Sequence, residues 1–327
     1  DRMDAGLRTL NDVYAAFHLN DRWSARSGRD FTWLPHERAQ TIWATEPRPW
    51  HGVDVSRLVA DTPLFESKDG DRDELTALSW IGATSTTSGL VVDEGTVSLR
   101  CWALVYDDNQ EWASKVFETA ALVQAMEAQD LAETIAGSLG YAPLIHEHPR
   151  SGERAEPDPI LTSLTDRAVW AGQHRWNKRD FTRAITWLTQ YGIPAAEGPS
   201  GLVAEFAFGE GRANQLRVHK ERHPLLGWGV RMKLTLDGWP SGRFGTGLLP
   251  IELNALEQDS WESAHFVGSW GVDRDGASTF FTCFLPSALY QPGFLEEAIA
   301  WTGERSTWVS RFLDHGGHAE NVAAAAR

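Results

Sequence analysis

The chain has 327 residues and a formal net charge of −15, and its 16 Trp and 14 Phe make it rich in aromatic side chains. This length predicts about two domains, each able to form a hydrophobic core without a disulfide or a metal ion. Residues 1–150 contain 24 acidic and 13 basic side chains, and the rest of the chain is also acidic. We therefore expect no nucleic-acid partner, because neutralising phosphates requires clustered Lys and Arg.

The two cysteines, Cys101 and Cys283, each lie inside an apolar run. Two buried thiols in a chain of this length favour a reducing compartment over a disulfide framework. No apolar run approaches the roughly 18 residues of a membrane span, and the first residues lack the apolar core of a signal peptide. These features predict a cytoplasmic protein with no membrane partner. Because the chain does not begin with Met, whether an N-terminal segment is missing stays open.

The first half of the chain predicts a helix, three strands, a short helix, a hairpin and a long closing helix. In chain order these are "LRTLNDVYAAFHL", then "DFTWLPHE", "AQTIWATEP" and "HGVDVSRLVADTPLF", then "RDELTALSWIG", "SGLVVDEGTVSLRCWALVY" and "QEWASKVFETAALVQAMEAQDLAETIAGSLG". The closing helix is expected to end at Gly140, because glycine readily takes the left-handed conformation that ends many helices.

The second half predicts the same order of elements. It begins with the helix "NKRDFTRAITWLTQYG", followed by the strands "GLVAEFAFGEG", "NQLRVHKE" and "LGWGVRMKLTLDG". A short helix in "LLPIELNALEQ" precedes a hairpin of "SAHFVGSWGV" and "ASTFFTCFL". The last helix runs from Gly293 to about Leu313, and the residues on its buried side are Phe294, Ala298, Trp301, Trp308, Val309 and Phe312.

Repetition of one order predicts an α+β protein made of two tandem α-β-β-β-α-β-β-α units, each a twisted antiparallel sheet packed with helices. We place the first unit at residues 1–140 and the second at 161–315, with a tail at 316–327. Residues 141–160 contain four prolines and mixed charge without periodicity, so they are predicted to form a linker.

The turn of the second hairpin, Asp273-Arg274-Asp275-Gly276, resembles the beginning of a calcium loop. A calcium loop of the EF-hand type requires further acidic ligands and a glutamate at position 12, and here apolar strand residues follow the glycine instead. The first hairpin has a matching turn at Asp93-Glu94-Gly95. We therefore predict a hairpin turn, since Asp and Gly tolerate positive φ.

No motif in the sequence predicts catalysis or a cofactor. The histidine groups are His146 with His148, His219 with His223, and His315 with His318, and none has the spacing of a zinc site. No Gly-x-Ser-x-Gly motif is present, and the glycines of "DGWPSGRFGTGLL" do not match a phosphate-binding loop. We assign no catalytic residue, no metal ligand and no cofactor-binding residue.

Several aromatic residues are candidates for contact with a partner. Most tryptophans are expected in the core, but a few exposed on a sheet face would form a patch for a peptide segment. In the glycine-rich loop, Arg243 and Phe244 would lie at the tip. The candidate partner-binding residues are Trp33, Trp43, Trp228, Trp239, Arg243 and Phe244.

The order of elements, together with "HPLLGWGVRMKL", "HFVGSWGVDRDG" and "FLPSALYQPGFLEEAIAWTGERSTWV", resembles the type III secretion chaperones and the YbjN-like family, sometimes grouped as TY-Chap domains. The resemblance covers most of both halves, is topological, and includes no catalytic motif. It implies a role in binding protein segments. Secretion chaperones are usually homodimers of single units, whereas two units are predicted within this one chain, so both a monomer and a homodimer are compatible with it.

We therefore expect a non-enzymatic protein-binding module, acting as a chaperone, adaptor or regulator, that holds a segment of a partner protein. One alternative is a hydrolase-like enzyme with a site at the interface of the two units, using His219 or His265 with a carboxylate. The other is a small-molecule sensor with its site between the two sheets. An exposed apolar patch rimmed by charge would favour binding, and a deep pocket with converging His and acidic side chains would favour an enzyme.

Overall fold

The computed structural model of the chain describes residues 3–67, 72–162, 175–208, 211–237, 249–261, 265–273 and 278–314. The chain divides into two compact units. Unit 1 consists of Asp1–Glu74, Ser85–Asp166 and His265–Val267, and unit 2 consists of Leu75–Thr84, Arg167–Ala264 and Gly268–Arg327. Each unit therefore takes most of one half of the sequence and a short segment of the other half.

The first half of the chain forms one long helix, two shorter helices and an antiparallel sheet. Its elements are α1 (Ala5–Ala16), β1 (Ser24–Ser27), β2 (Asp30–Trp33), β3 (Gln40–Ala44), β4 (Arg48–Trp50), β5 (Val53–Glu66), α2 (Arg72–Gly82), β6 (Gly89–Asp93), β7 (Thr96–Val105) and α3 (Gln110–Leu139). Helix α3 ends as predicted, with Gly140 in the left-handed conformation.

The sheet of unit 1 has the strand order β1-β2-β3-β5-β7-β6, with β4 paired to β5, and its described pairings are antiparallel. Strands β6 and β7 form the predicted hairpin, in which Asp93 pairs with Thr96. Between them, Glu94 and Gly95 have φ values of 48° and 80°. Two positive φ values in a two-residue loop indicate a type I′ turn, which matches the twist of the flanking strands.

Helix α3 packs on this sheet through a polar side chain as well as apolar ones. The fully buried Gln124 donates from Nε2 to the Ala60 carbonyl at 3.1 Å and to Ser88 Oγ at 3.0 Å. Its Oε1 accepts from Thr62 Oγ1 at 3.0 Å and from Gln40 Nε2 at 2.9 Å. One amide thus joins α3 to β3, β5 and the segment before β6, and both of its polar atoms are satisfied.

The second half of the chain forms an antiparallel sheet with helices before, within and after it. Its elements are α4 (Lys178–Gln190), β8 (Ala195–Gly198), β9 (Gly201–Phe208), β10 (Arg212–His223), β11 (Gly227–Thr235), α5 (Pro250–Asp259), β12 (Ser269–Val272), β13 (Thr279–Pro286), a 3₁₀ turn (Ser287–Leu289) and α6 (Phe294–Asp314). A capping box begins α4: Asn177 Oδ1 accepts from the Arg179 N–H, and Asp180 Oδ2 accepts from the Asn177 N–H.

The sheet of unit 2 has the strand order β12-β13-β11-β10-β9-β8, again with antiparallel pairings. The side of α6 that was predicted to be buried is buried at Phe294, Ala298, Trp301, Trp308 and Val309. Phe312 was also predicted on this side, but its side chain is not among those that the structure describes.

An ion pair is enclosed in the core of unit 2. Arg305 on α6 is 2% exposed and Glu257 on α5 is 0% exposed, and their Nε and Oε1 atoms are 2.7 Å apart. Glu257 Oε2 accepts a further hydrogen bond from Trp270 Nε1 at 2.7 Å. The guanidinium carbon of Arg305 lies 3.8 Å from the centre of the Phe281 ring. Both carboxylate oxygens and the cation are therefore engaged, as buried charges require.

Each unit includes a segment from the other half of the sequence. In unit 1, Phe266 pairs with Trp102 of β7 through two backbone hydrogen bonds of 3.0 and 2.9 Å. In unit 2, Ser79 of helix α2 accepts from the backbone N–H of Ile251 at the first turn of α5. These contacts join residues more than 160 positions apart, so no local pattern in the sequence could indicate them.

The predicted α+β class with two antiparallel sheets is confirmed. The three strands predicted in each half are β2, β3 and β5 in the first and β9, β10 and β11 in the second. Three short strands, β1, β4 and β8, were missed because their sequences, SARS, RPW and AAEG, lack the apolar alternation that β2 has over the same length.

The segment predicted to be a linker is part of a folded unit. Residues 141–160, predicted as a linker, belong to unit 1, where the Leu144 N–H donates to the Leu64 carbonyl at 2.7 Å.

In the second hairpin, β12 and β13 pair as predicted, and the Asp273 N–H donates to the Ser278 carbonyl at 3.0 Å. Residues 274–277 of its turn lie outside the described residues, so the choice of a turn over a calcium site stays a prediction.

We predict that Arg305→Met lowers the free energy of unfolding by about 3–5 kcal/mol, because the Glu257 carboxylate would stay buried without its cation. Lys178→Met is the matched control, since Lys178 and its partner Glu197 are 77% and 62% exposed. That exposed pair should contribute less than about 1 kcal/mol. Urea unfolding followed by circular dichroism measures both changes, and equal losses in the two variants would contradict the prediction.

Candidate functional site

The six predicted partner-binding residues have different positions. Trp33 is 1% exposed and belongs to the core of unit 1. Trp43 on β3 and Trp228 on β11 are half-buried and belong to different units. The other three predicted residues, Trp239, Arg243 and Phe244, lie outside the described residues.

Trp33 has a structural role. Its indole Nε1 donates to Gln40 Oε1 at 2.8 Å, and Gln40 Nε2 donates in turn to Gln124 Oε1 and to the Ala121 carbonyl. The indole therefore forms part of the polar network that joins α3 to the sheet. A side chain buried this completely cannot contact a partner on the surface, so we do not retain Trp33 as a binding residue.

Both thiols are buried. Cys101 and Cys283 are fully enclosed by protein, and burial raises their pKa values to about 12 and about 11. At neutral pH both side chains are thiols rather than thiolates, and only the thiolate is a strong nucleophile. The predicted burial of both cysteines is therefore confirmed.

One predicted pairing of histidine with a carboxylate is present in unit 2. His219 Nε2 lies 3.2 Å from Glu221 Oε2, and the same oxygen accepts from Arg231 Nε at 2.8 Å. Burial raises the pKa of Glu221, but the hydrogen bond and charge of Arg231 outweigh burial and hold that pKa below its usual value. In the described part of the chain, His219 has Glu221 as its only side-chain partner, so no hydroxyl or thiol is positioned for activation.

The other histidines do not assemble a site among the described residues. His265 is 5% exposed, and its Nδ1 accepts from the Leu104 N–H at 3.0 Å, so this imidazole helps to hold residues 265–267 against β7. His315 and His318 lie outside the described residues. Over the described ranges, no three His, Cys, Asp or Glu side chains come close enough to hold a metal ion.

A cleft of about 380 Å³ opens in unit 1 beside the first turn of α1, and we call it the acidic cleft. Four carboxylates and one guanidinium are among the side chains that form it. The lining residues are Met3, Asp4, Ala5, Arg8, Pro47, Val53, Asp54, Ser56, Tyr106, Asp107 and Asp108.

The floor of the acidic cleft is fixed by close packing of α1 on β5. Asp4 caps the helix by accepting from the Leu7 N–H at 3.0 Å, and it also accepts from Arg29 Nη1 at 2.6 Å. The hydrogen bond from Arg29 lowers the pKa of Asp4 to about 2. At Gly6, a Cβ atom would lie 2.4 Å from Ser56 Cβ, so only glycine allows the helix to approach the strand this closely.

The opposite wall is the turn between β7 and α3. Asn109, which is 2% exposed, donates to the Leu104 carbonyl at 2.9 Å and accepts from the Tyr106 N–H at 2.8 Å. These two bonds hold the turn that presents Asp107 and Asp108. Arg8 of α1 then pairs with Asp107 across the cleft.

The remaining lining residues give the cleft a mixed surface. Asp54 and Asp108 are exposed, and neither has an ion-pair partner within the described part of the chain. Next to them are two large apolar side chains that are unusually exposed, Met3 at 45% and Val53 at 41%. Exposed apolar area rimmed by charged side chains is typical of a surface that binds another molecule.

No sequence pattern indicates that these residues form a site. Positions 3, 53–54 and 107–108 are distant in the chain, and each alone is ordinary: an apolar residue, the beginning of a strand, and a polar turn. The pair Asp107-Asp108 before Asn109 indicates a turn, but only the antiparallel pairing of β5 with β7 brings it to residue 54.

No family model, no curated protein and no solved structure matches the chain. The resemblance to the secretion chaperones and the YbjN-like family therefore stays an expectation. None of the helices in the described ranges has the length and apolar character needed to traverse a lipid bilayer.

We predict that neither cysteine reacts with a disulfide reagent such as Ellman's reagent in the folded protein at pH 8, because both thiols are buried and their pKa values lie well above this pH. In concentrated guanidinium chloride, both thiols should react. The measurement is the absorbance of the released thiolate. Rapid modification of one cysteine in the folded chain would contradict this result.

We predict that Gly6→Ala lowers the free energy of unfolding by about 1–3 kcal/mol, because the added methyl group overlaps Ser56 and forces α1 away from β5. Gly137→Ala is the matched control: Gly137 is exposed within α3, and nothing lies within 4 Å of its Cβ position. There, alanine should stabilise by roughly 0.5–1 kcal/mol. Chemical unfolding of both variants tests this, and the same sign of change at the two positions would refute it.

Proposed function

We propose that the chain is a non-enzymatic protein-binding module and that the acidic cleft receives a segment of its partner. The observation that supports this best is the joint exposure of Met3 and Val53 next to the carboxylates of Asp54 and Asp108. Apolar contact and charge are the two terms that dominate recognition of a peptide segment. The resemblance to chaperones that bind protein segments implies the same role.

The cleft defines the chemistry of the segment. Two carboxylates without a described partner favour lysine or arginine, and the exposed Met3 and Val53 favour an apolar residue next to it. The net charge of −15 adds a long-range attraction for a basic segment, which raises the rate of association. We propose a cytoplasmic chaperone, adaptor or regulator with a basic and partly apolar partner segment, acting as a monomer or as a homodimer.

Binding is favoured over hydrolysis by the state of the candidate catalytic groups. Both thiols are protonated at neutral pH, and the His219–Glu221 pair has no nucleophile beside it among the described residues. His265 uses its Nδ1 to accept a backbone hydrogen bond, which occupies the atom that a general base would need. The hydrolase therefore stays the alternative, with His219 as its candidate base.

We predict that neutralising the cleft weakens binding of a basic, partly apolar peptide. The probe is a fluorescein-labelled peptide of alternating lysine and leucine, measured by fluorescence anisotropy. Asp54→Asn combined with Asp108→Asn should lower its affinity roughly threefold to tenfold, since each exposed ion pair contributes about 0.2–1 kcal/mol. Raising the salt concentration should weaken binding to the unaltered chain more than binding to the variant.

The matched control removes two negative charges elsewhere, by Asp130→Asn combined with Glu156→Gln, and both of these side chains are exposed. It should change affinity by less than half as much as the cleft variant. A glutamate–leucine peptide should not bind. Equal losses in the two double variants, or equal binding of the two peptides, would refute the acidic cleft as the binding site.

A further inference from the structure

A second cleft in unit 1 contains a buried arginine. It has a volume of about 240 Å³ and lies between the loop that joins β2 to β3, one face of α3, and residues 157–162. We call it the Arg38 cleft. Its apolar walls include Pro35, Met126, Pro157 and Leu161. Its polar side chains are His36, Arg38, Gln129 and Thr162.

The guanidinium of Arg38 is enclosed but not fully satisfied. The residue is 4% exposed, and its Nη1 donates to Gln129 Oε1 and approaches Glu37 Oε2 at 3.4 Å. Within the part of the chain that the structure describes, Nε of Arg38 has no hydrogen-bond partner. Nε is also shielded from solvent, and the described hydrogen bonds of Arg38 come from Nη1, so Nη2 is the nitrogen left to donate to an acceptor in the cleft.

The charge of Arg38 is only partly balanced by its neighbour. The Glu37 side chain is 38% exposed, and its Oε2 also accepts from Gln129 Nε2 at 3.1 Å. Burial lowers the pKa of Arg38, and Glu37 and Glu133 offset part of that effect. An arginine nevertheless stays protonated in proteins, so a cation faces the cleft at every ordinary pH.

The wall formed by residues 157–162 is held in place by hydrogen bonds. The Asp158 N–H donates to the Pro35 carbonyl at 2.7 Å. Arg154 Nη1 donates to the Leu34 carbonyl at 2.8 Å and to Asp158 Oδ2 at 2.9 Å. The cleft is therefore preformed, which reduces the entropy that binding a ligand would cost.

We propose that the Arg38 cleft binds a carboxylate attached to a short apolar group. The Nη2 group of the Arg38 guanidinium can donate to a carboxylate oxygen, and the proline, methionine and leucine side chains match an apolar body. The volume is below the roughly 300–1,000 Å³ typical of pockets for drug-sized ligands, so the apolar group is short. Glu37 and Glu133 repel any anion, and they repel a doubly charged phosphate more strongly than a singly charged carboxylate.

This site is separate from the acidic cleft and selects the opposite charge. Two sources supply the same chemistry: a free carboxylic acid, or the C-terminal carboxylate of a chain that ends in an apolar residue. The probes are hexanoate, hexanamide, and the acetylated tripeptide Ala-Ala-Leu with a free or an amidated C-terminus. Binding of each to the full chain is measured by isothermal titration calorimetry.

We expect hexanoate or the free-acid tripeptide to bind at one site, at least about tenfold more tightly than its amide counterpart, because a charge-assisted hydrogen bond is lost in the amide. Binding of hexanoate alone would identify a free acid as the ligand, and binding of the tripeptide would identify a chain terminus. Absence of binding by both carboxylates, or equal binding of acid and amide, would overturn the proposal.

Two variants locate the site. Arg38→Met removes the cation while keeping a long side chain, and Leu161→Trp fills the cleft without altering Arg38. Each should weaken binding of the carboxylate at least about tenfold. Leu161→Trp decides the outcome if Arg38→Met fails to fold, as judged by circular dichroism.

Two controls should keep the affinity of the unaltered chain. One is Arg179→Met, which removes an exposed arginine of unit 2, and the other is the double variant of the acidic cleft. Carboxylate binding that is unchanged by Leu161→Trp, or lost equally in Arg179→Met, would overturn the assignment. Because the acidic-cleft variant is measured with both kinds of probe, failure at one cleft is distinguishable from failure at the other.

Discussion

The requirement that a buried polar side chain has a partner for each of its polar atoms determines how α3 lies on the sheet of unit 1. Gln124 is 0% exposed and satisfies both ends of its amide with groups from Gln40, Ala60, Thr62 and Ser88. Apolar side chains alone would tolerate a shift of the helix along the sheet, since hydrophobic contact has no direction. An amide with four fixed partners does not tolerate such a shift, because each lost bond leaves a buried group unsatisfied.

Unit 2 meets the same requirement with charges. Glu257 and Arg305 connect α5 to α6, and Trp270 of β12 contributes the indole N–H that satisfies the second carboxylate oxygen. Removing both charges from water is costly, so the pair is weak evidence of extra stability, but its geometry permits one arrangement of the two helices. The two units thus share a type of fold while the polar contacts in their cores are chemically different.

The sequence predicted the fold more completely than the site, for a physical reason. The helices and the long strands follow from periodicity over eight or more residues, and the turn at Glu94-Gly95 follows from residues that tolerate positive φ. The strands β1, β4 and β8 lack an alternation of apolar side chains. The acidic cleft depends on β5, β7 and α1 meeting in space. The buried position of Trp33 includes a hydrogen bond to Gln40. Composition encodes neither of these arrangements. Burial excludes Trp33 from the residues predicted to bind a partner, whereas no sequence pattern indicated the exposed Met3 and Val53.

The two clefts of unit 1 differ in what a ligand would change. At the acidic cleft, Asp54 and Asp108 are exposed and hydrated, so a cation gains only the modest, salt-sensitive attraction of surface charges. At the Arg38 cleft, water is largely excluded from the guanidinium, which strengthens a charge-assisted hydrogen bond to an entering carboxylate. The first surface suits transient contact with an extended partner segment. The second cleft is small and preformed, so selectivity there would come from the charge and length of one ligand group. A ligand bound in it would also stabilise the loop between β2 and β3 on which Arg38 lies.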